Sequence, residues 1–268
     1  MRRTLALTAF ALASLASAQK DMIGRDQFPQ FRNLGGLAGN LVPLNPDGSP
    51  NYFGALSLST PVAYTLSNWH GIAGYGLMSF DMTLRAPGKD NQRNTNGTAQ
   101  FMLGAPSGAY GQFMASYMIL SHLGDGAFNF QWSPGRQTGK ARWAVGLQDL
   151  RGNGGSAGEN IAGDSESSTS FFSVTTYAID EKTHVSFGTG TRRFKGVFGN
   201  ISTNITDNLK ATLEYDAFNW NFGVAYKLTS ILKLQGEGYD SASRHVDVHT
   251  FLGVVRGKSL FWGLGVSF

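Results

Sequence analysis

Residues 259–268 read SLFWGLGVSF and alternate with a period of two. Leu260, Trp262, Leu264, Val266 and Phe268 fall on one face; Ser259, Phe261, Gly263, Gly265 and Ser267 fall on the other. That period is the side-chain period of a β-strand. One face of this strand is large and apolar while its opposite is mostly small or polar, a division that strands of water-soluble proteins seldom show.

The same code recurs upstream. Leu209, Ala211, Leu213 and Tyr215 alternate with Lys210, Thr212 and Glu214. Trp220, Phe222, Val224, Tyr226 and Leu228 alternate with Asn219, Asn221, Gly223, Ala225 and Lys227, and Leu232 and Leu234 with Lys233, Gln235 and Glu237. Weaker candidate strands cover residues 53–62, 71–81, 98–105, 112–121, 126–132, 141–148, 169–179, 183–190, 196–205 and 246–255, separated by turn signals. The pattern predicts an all-β fold, a transmembrane antiparallel β-barrel of about 12–14 strands. A soluble barrel inverts the two faces, and periodicity alone does not separate the two. Fourteen candidates create one conflict. With both ends of the barrel on one side, the longest connections, residues 85–96 and 151–168, fall on that same side, whereas membrane barrels keep their short turns there. Either the count is off by an odd number on each side of 151–168, or this barrel breaks the rule.

The flanks decide between the two kinds of barrel. Residues 1–18 combine Arg2 and Arg3, an apolar run from Leu5 to Leu15 and the small residues Ala16, Ser17 and Ala18, the three parts of a secretory signal peptide cleaved after Ala18. The apolar run is short for a membrane anchor. The strand that ends on Phe268 resembles the closing strand of bacterial outer-membrane barrels, in which a terminal Phe forms part of the signal read by the barrel-assembly machinery. Composition agrees: charged residues make up 15%, aromatics 12%, and Gly accounts for 35 of 268 residues. There is no cysteine, hence no disulfide framework and no lipoprotein anchor. Lys+Arg number 22 against 18 Asp+Glu; without Arg2 and Arg3 the balance is 20 against 18, which gives a nucleic-acid partner no support. The expected organisation is a signal peptide (1–18), an irregular N-terminal segment rich in Gly, Pro and Asn (19–51) that tucks into or under the barrel, and an outer-membrane barrel (52–268). Outer-membrane lipid and lipopolysaccharide are its expected surroundings. Trp143, Trp220, Tyr226 and Trp262 read as lipid-facing or belt residues.

Residues 143–150 (WAVGLQDL), 187–199 (FGTGTRRFKGVFG), 209–216 (LKATLEYD) and 219–228 (NWNFGVAYKL) follow one another in an order that resembles the YjbH-like outer-membrane proteins associated with exopolysaccharide production. That family carries a VGxxDL strand, a GxGRFxGxFGG turn and an AEYDxxxFNxGxxYRL hairpin. The resemblance covers about a third of the chain and departs at Asn200, where the turn ends on Gly, and at Lys227, where the hairpin has Arg. It implies a non-enzymatic envelope barrel that assists export or surface organisation of a polysaccharide. It names no catalytic residue.

Three sets of residues remain. Arg142, Lys210, Glu214, Lys227, Lys233 and Glu237 fall on polar faces and are expected to line the lumen, with acid and base pairing across strands. Arg192, Arg193 and Lys195 form a basic cluster at a turn that suits lipopolysaccharide phosphates or an acidic polysaccharide, or is simply solvated. His245, Asp247 and His249 share a strand face and offer a weak metal or hydrolase constellation, against the plainer reading of polar lumen or rim residues. No G-x-S-x-G elbow or phosphate loop is present. No cofactor is expected. Three functions follow: an envelope protein assisting polysaccharide export, a passive diffusion pore for small solutes, and an outer-membrane hydrolase.

Overall fold

The computed structural model describes residues 43–79, 95–119, 126–135, 137–150, 169–217, 220–234, 244–255 and 259–268. Twelve antiparallel strands close into a barrel in which each strand pairs with its neighbours in sequence and the last returns to the first. The strands are β1 (Gly71–Ser79), β2 (Thr95–Gly104), β3 (Gln112–Ile119), β4 (Gly126–Ser133), β5 (Ala141–Gln148), β6 (Ser170–Ala178), β7 (Thr183–Gly190), β8 (Gly196–Asn204), β9 (Leu209–Tyr215), β10 (Trp220–Leu234), β11 (Arg244–Val255) and β12 (Ser259–Ser267). Closure runs through β1 and β12, with Gly74 opposite Gly265 and Gly76 opposite Gly263. Gly71 and Phe268 exchange both backbone hydrogen bonds and mark the terminal end of the barrel.

The faces are those of a barrel built for lipid. Leu260, Trp262, Trp220, Phe222, Tyr226, Phe187 and Trp143 point outward and are exposed, while Lys210, Glu214, Asn221, Gln131 and Thr176 point inward and are buried. An exterior dominated by exposed aromatic and aliphatic side chains has no stable contact with water and is the surface that hydrocarbon accepts.

Two of the fourteen expected strands do not form. Residues 53–62 pair with no strand, and residues 232–234 continue β10 rather than starting a new one. In β10 the register against β11 shifts between Lys227 and Thr229 and again between Ser230 and Leu232. Each irregularity adds a residue to one side of the ladder, so the phase of the alternation breaks although the strand does not. One candidate is lost on each side of residues 151–168. The ends of β1 and β5, from which the two long connections leave, therefore lie opposite the termini, and the conflict over loop sidedness disappears.

The irregular segment extends past its expected boundary at residue 51, and the barrel begins at Gly71. The described segment before Gly71 occupies the lumen: residues 54–67 are all buried. Leu44, Leu56, Leu58, Val62, Tyr64 and Leu66 from this segment join Ile72, Met102, Phe172, Phe198, Phe251 and Phe261 from the wall in one apolar cluster. Gly104 marks the closest approach of wall and segment, because a Cβ there would lie 2.3 Å from the carbonyl carbon of Leu66. Gly104→Ala is accordingly expected to lower the barrel's unfolding free energy in urea by about 1–3 kcal/mol, the usual cost of overpacking. Gly108→Ala, whose Cβ meets nothing within 4 Å, is the neutral control. Equal stability of the two variants would show that the segment does not pack on β2.

Candidate functional site, a re-entrant loop in the lumen

The lumen segment enters and leaves at the same end. At the terminal end, Ser67 donates its backbone N–H to Gly48 O at 3.1 Å and its hydroxyl to Asp47 O at 2.7 Å. From there the chain climbs along β8 to β10. Tyr52 donates its hydroxyl to the Asn208 and Ala225 carbonyls, and Leu56 N–H donates to Ser202 Oγ at 3.1 Å. It turns at residues 58–60 and descends along β4 and β6. There Ala63 N–H donates to Thr176 Oγ1 at 2.8 Å, and Gln131 Nε2 donates to the Val62 and Tyr64 carbonyls and to Thr65 Oγ1. Irregular backbone buried away from water needs a partner for each N–H and C=O. Here the wall's side chains supply those partners in place of a strand ladder.

The apex is the most heavily bonded point. The fully buried Glu214 carboxylate accepts the backbone N–H groups of Leu58, Ser59 and Thr60 at 2.9–3.1 Å and the hydroxyls of Ser59 and Thr60. Asn221 Nδ2 donates to the same carboxylate at 3.0 Å, and Asn200 Nδ2 donates to Thr60 Oγ1 at 2.9 Å. Asn200, Glu214 and Asn221 are direct cross-strand partners, one row across β8, β9 and β10. A carboxylate is acceptor-only, and a turn that presents consecutive N–H groups is its natural complement.

The turn between β7 and β8 closes the lumen above this apex. It contains a single 3-10 turn, Arg192–Phe194, whose first residue has a positive φ of 48°. This backbone turns Arg193 and Phe194 inward, and both are fully buried. Arg193 donates to Asp216 O at 2.9 Å and to Ser59 O at 3.3 Å. Phe194 meets Phe172 and Phe198 at ring-centroid distances of 5.2 and 5.3 Å. The basic cluster expected at this turn is therefore divided: Lys195 stays exposed and Arg192 half-buried, while Arg193 clamps the loop.

The other expected site residues are placed as follows. Lys210 and Glu214 are fully buried in the lumen wall. Lys227 pairs with Asp247 at 3.3 Å. Arg142 is half-buried beside a cleft of about 530 Å³ at the terminal end, with Asp47, Asn68, Gln112 and Gln137 among its lining residues. Lys233 and His245 lie on β10 and β11, but their side chains fall outside the described residues, as do Glu237, the signal peptide and residues 151–168. His249 stacks flat on Tyr52 with centroids 5.3 Å apart, so Asp247 and His249 each meet a partner other than a metal. Among the described residues no three His, Cys, Asp or Glu side chains come together to hold a metal ion.

Sequence reasoning missed the contribution of Gln131, Thr176, Ser202 and Asn200, because neutral polar residues on an inward face carry no signal of their own. One signal was present. Arg193, Glu214, Asp216 and Asn221, which converge at the apex, all lie in the stretches that carry the family resemblance.

Glu214→Ala is expected to release the apex. It leaves three buried N–H groups unpaired, at a cost of about 1–3 kcal/mol each. The chain has no cysteine, so a Ser57→Cys probe reports the loop alone. Maleimide labelling of that probe in the folded barrel should accelerate about tenfold or more in the Glu214→Ala background. Equal protection in both backgrounds would mean that Glu214 does not hold the loop.

No protein-family model matches the chain, and no curated protein sequence does. Among solved structures the barrel is similar in part to the KdgM porin in complex with disordered oligogalacturonate, with a TM-score of 0.45 at 11% identity, covering 74% of this chain and 98% of that one. The KdgM porin alone gives a TM-score of 0.44 over the same shares at 11% identity. The outer membrane protein Omp33 of Acinetobacter baumannii gives 0.36 at 11% identity, over 75% of this chain and 97% of that one.

Proposed function

We propose that this protein is a bacterial outer-membrane pore for small solutes whose lumen is closed at rest by residues 44–67. The observation that carries the reading is the loop's path. It enters and leaves the lumen at one end and takes no part in the barrel's strand ladder. It can therefore withdraw without unthreading and without breaking the wall. The polar inner face, which the loop's backbone occupies at rest, then becomes the lining of an aqueous path. The leader sequence and the aromatic exterior support the outer membrane as its location. Phe268 would be read by the barrel-assembly machinery, and Arg192 and Lys195, at the end opposite the termini, would face lipopolysaccharide phosphates.

Assistance to polysaccharide export keeps one specific support, the convergence of the resemblance stretches on the loop apex. A polymer needs a wider and more lasting opening than a small solute does, which makes export the second reading.

Single-channel recording in planar bilayers tests the pore. The Ser67–Gly48 hydrogen bond brings the loop's two ends together, so residues 50–65 can be replaced by a short Gly-Ser link. The full mature chain is expected to stay closed or open rarely, and the deletion barrel to open in stable steps. Blockade of those steps by a soluble polysaccharide would favour export over general diffusion. A folded deletion barrel that stays silent would sink both.

A further inference from the structure

A second feature of the lumen lies toward the terminal end, away from the loop's apex. Lys210 is fully buried, and its ammonium has no hydrogen-bond partner among the described residues. Around it lie further polar groups without a partner among the described residues. Asn204 is its direct cross-strand neighbour, 9% exposed, with both amide atoms free. His184 pairs with Ser202, one inward position farther from the terminal end; it is 3% exposed, and its Nδ1 has no partner. The His184 ring meets Tyr64 of the loop edge-on at 5.7 Å, and the Tyr64 hydroxyl also lacks a partner.

Among the described residues no carboxylate forms an ion pair or a hydrogen bond with Lys210. Glu214, two positions along the same strand face, is occupied by the loop apex. Asp247 is held by Lys227. Asp180, in the exposed turn between β6 and β7, accepts the backbone N–H groups of Lys182 and Thr183 at 2.8 Å each; these hold its carboxyl below the usual carboxylate range, so it stays charged and acts on Lys210 through space, without pairing with it. A desolvated ammonium without a counter-charge is strongly unfavourable. The groups around it, an ammonium, an amide, an imidazole N–H and a phenol, can all donate, and a cluster of donors takes an anion.

We infer that Lys210, Asn204 and His184, covered by Tyr64 of the loop, form a binding site for a small monovalent anion of the halide class. The anion supplies the direct ion-pair partner that Lys210 lacks among the described residues and sits behind the loop. Its occupancy therefore favours the loop-in state by mass action.

The test uses the refolded full mature chain in detergent at constant ionic strength, with sodium bromide replacing sodium gluconate. The midpoint of thermal unfolding is expected to rise with bromide and saturate, and Lys210→Met, which keeps an unbranched side chain one atom shorter and removes the charge, to abolish that rise. A wild-type midpoint that does not respond, or that rises without saturating, overturns the site. The same saturable rise in Lys210→Met also overturns it, because the anion then binds elsewhere. Should Lys210→Met not fold, Asn204→Leu removes a donor and no charge, and is expected to weaken the apparent bromide affinity about tenfold; an unchanged affinity overturns the site. The readout is stability rather than conductance, so its failure is distinct from failure of the pore.

Discussion

A buried carboxylate facing three consecutive backbone N–H groups organises this molecule. Glu214 is fully buried on the inner face of β9, and its charge is tolerable there because Leu58, Ser59 and Thr60 turn their N–H groups toward it. The dependence is mutual. An irregular turn buried in a barrel has no strand partner for those same groups, and it is stable there only because an acceptor was waiting. Arg193 completes the arrangement from above by taking the Ser59 carbonyl. The barrel wall and the lumen loop are therefore each unsatisfied without the other. This accounts for the polar character of the inner face, which serves peptide groups at rest where an open pore would serve water.

The balance of forces on the loop differs along its length. At the apex and along both limbs the hydrogen bonds to the wall each contribute about 0.5–1.5 kcal/mol net, since water replaces them when the loop leaves. The bonds to Glu214 lie above that range, at about 1.5–3 kcal/mol, because they are charge-assisted. Leu56, Leu58, Val62, Tyr64 and Leu66 find no such replacement in water; their transfer out of the apolar cluster opposes withdrawal outright. Specific position is thus set by the polar contacts and residence by the apolar ones.

Most of the barrel was legible in the sequence because its constraint is local. An inward residue differs from its two neighbours wherever one side of the wall is lipid, so Leu260, Trp262 and Leu264 declare their face within five residues. The loop was misread for the same reason. Leu56 and Leu58 alternate with Ser57 and Ser59 as a strand would, yet a segment inside a barrel is surrounded on all sides, and both sets are buried. Period two marks two faces but does not say whether either meets solvent. β10 failed differently: its two register shifts broke the phase, and one strand of fifteen residues read as two.

Arg193 shows where local reading ends. Its neighbours Arg192 and Lys195 describe a solvated basic turn, and nothing within that turn distinguishes the one side chain that folds inward. What selects it is the Ser59 carbonyl, 134 residues earlier in the chain, together with the Asp216 carbonyl on the connection after β9. A buried cation is stable only where the fold has gathered acceptors around it, and those two carbonyls come from widely separated parts of the chain. The resemblance stretches contain Arg193, Glu214, Asp216 and Asn221 but not the loop itself, whose apex supplies backbone groups that any residue carries. The wall's half of the contact is thus made by particular side chains, and the loop's half by peptide groups that leave no mark in its sequence.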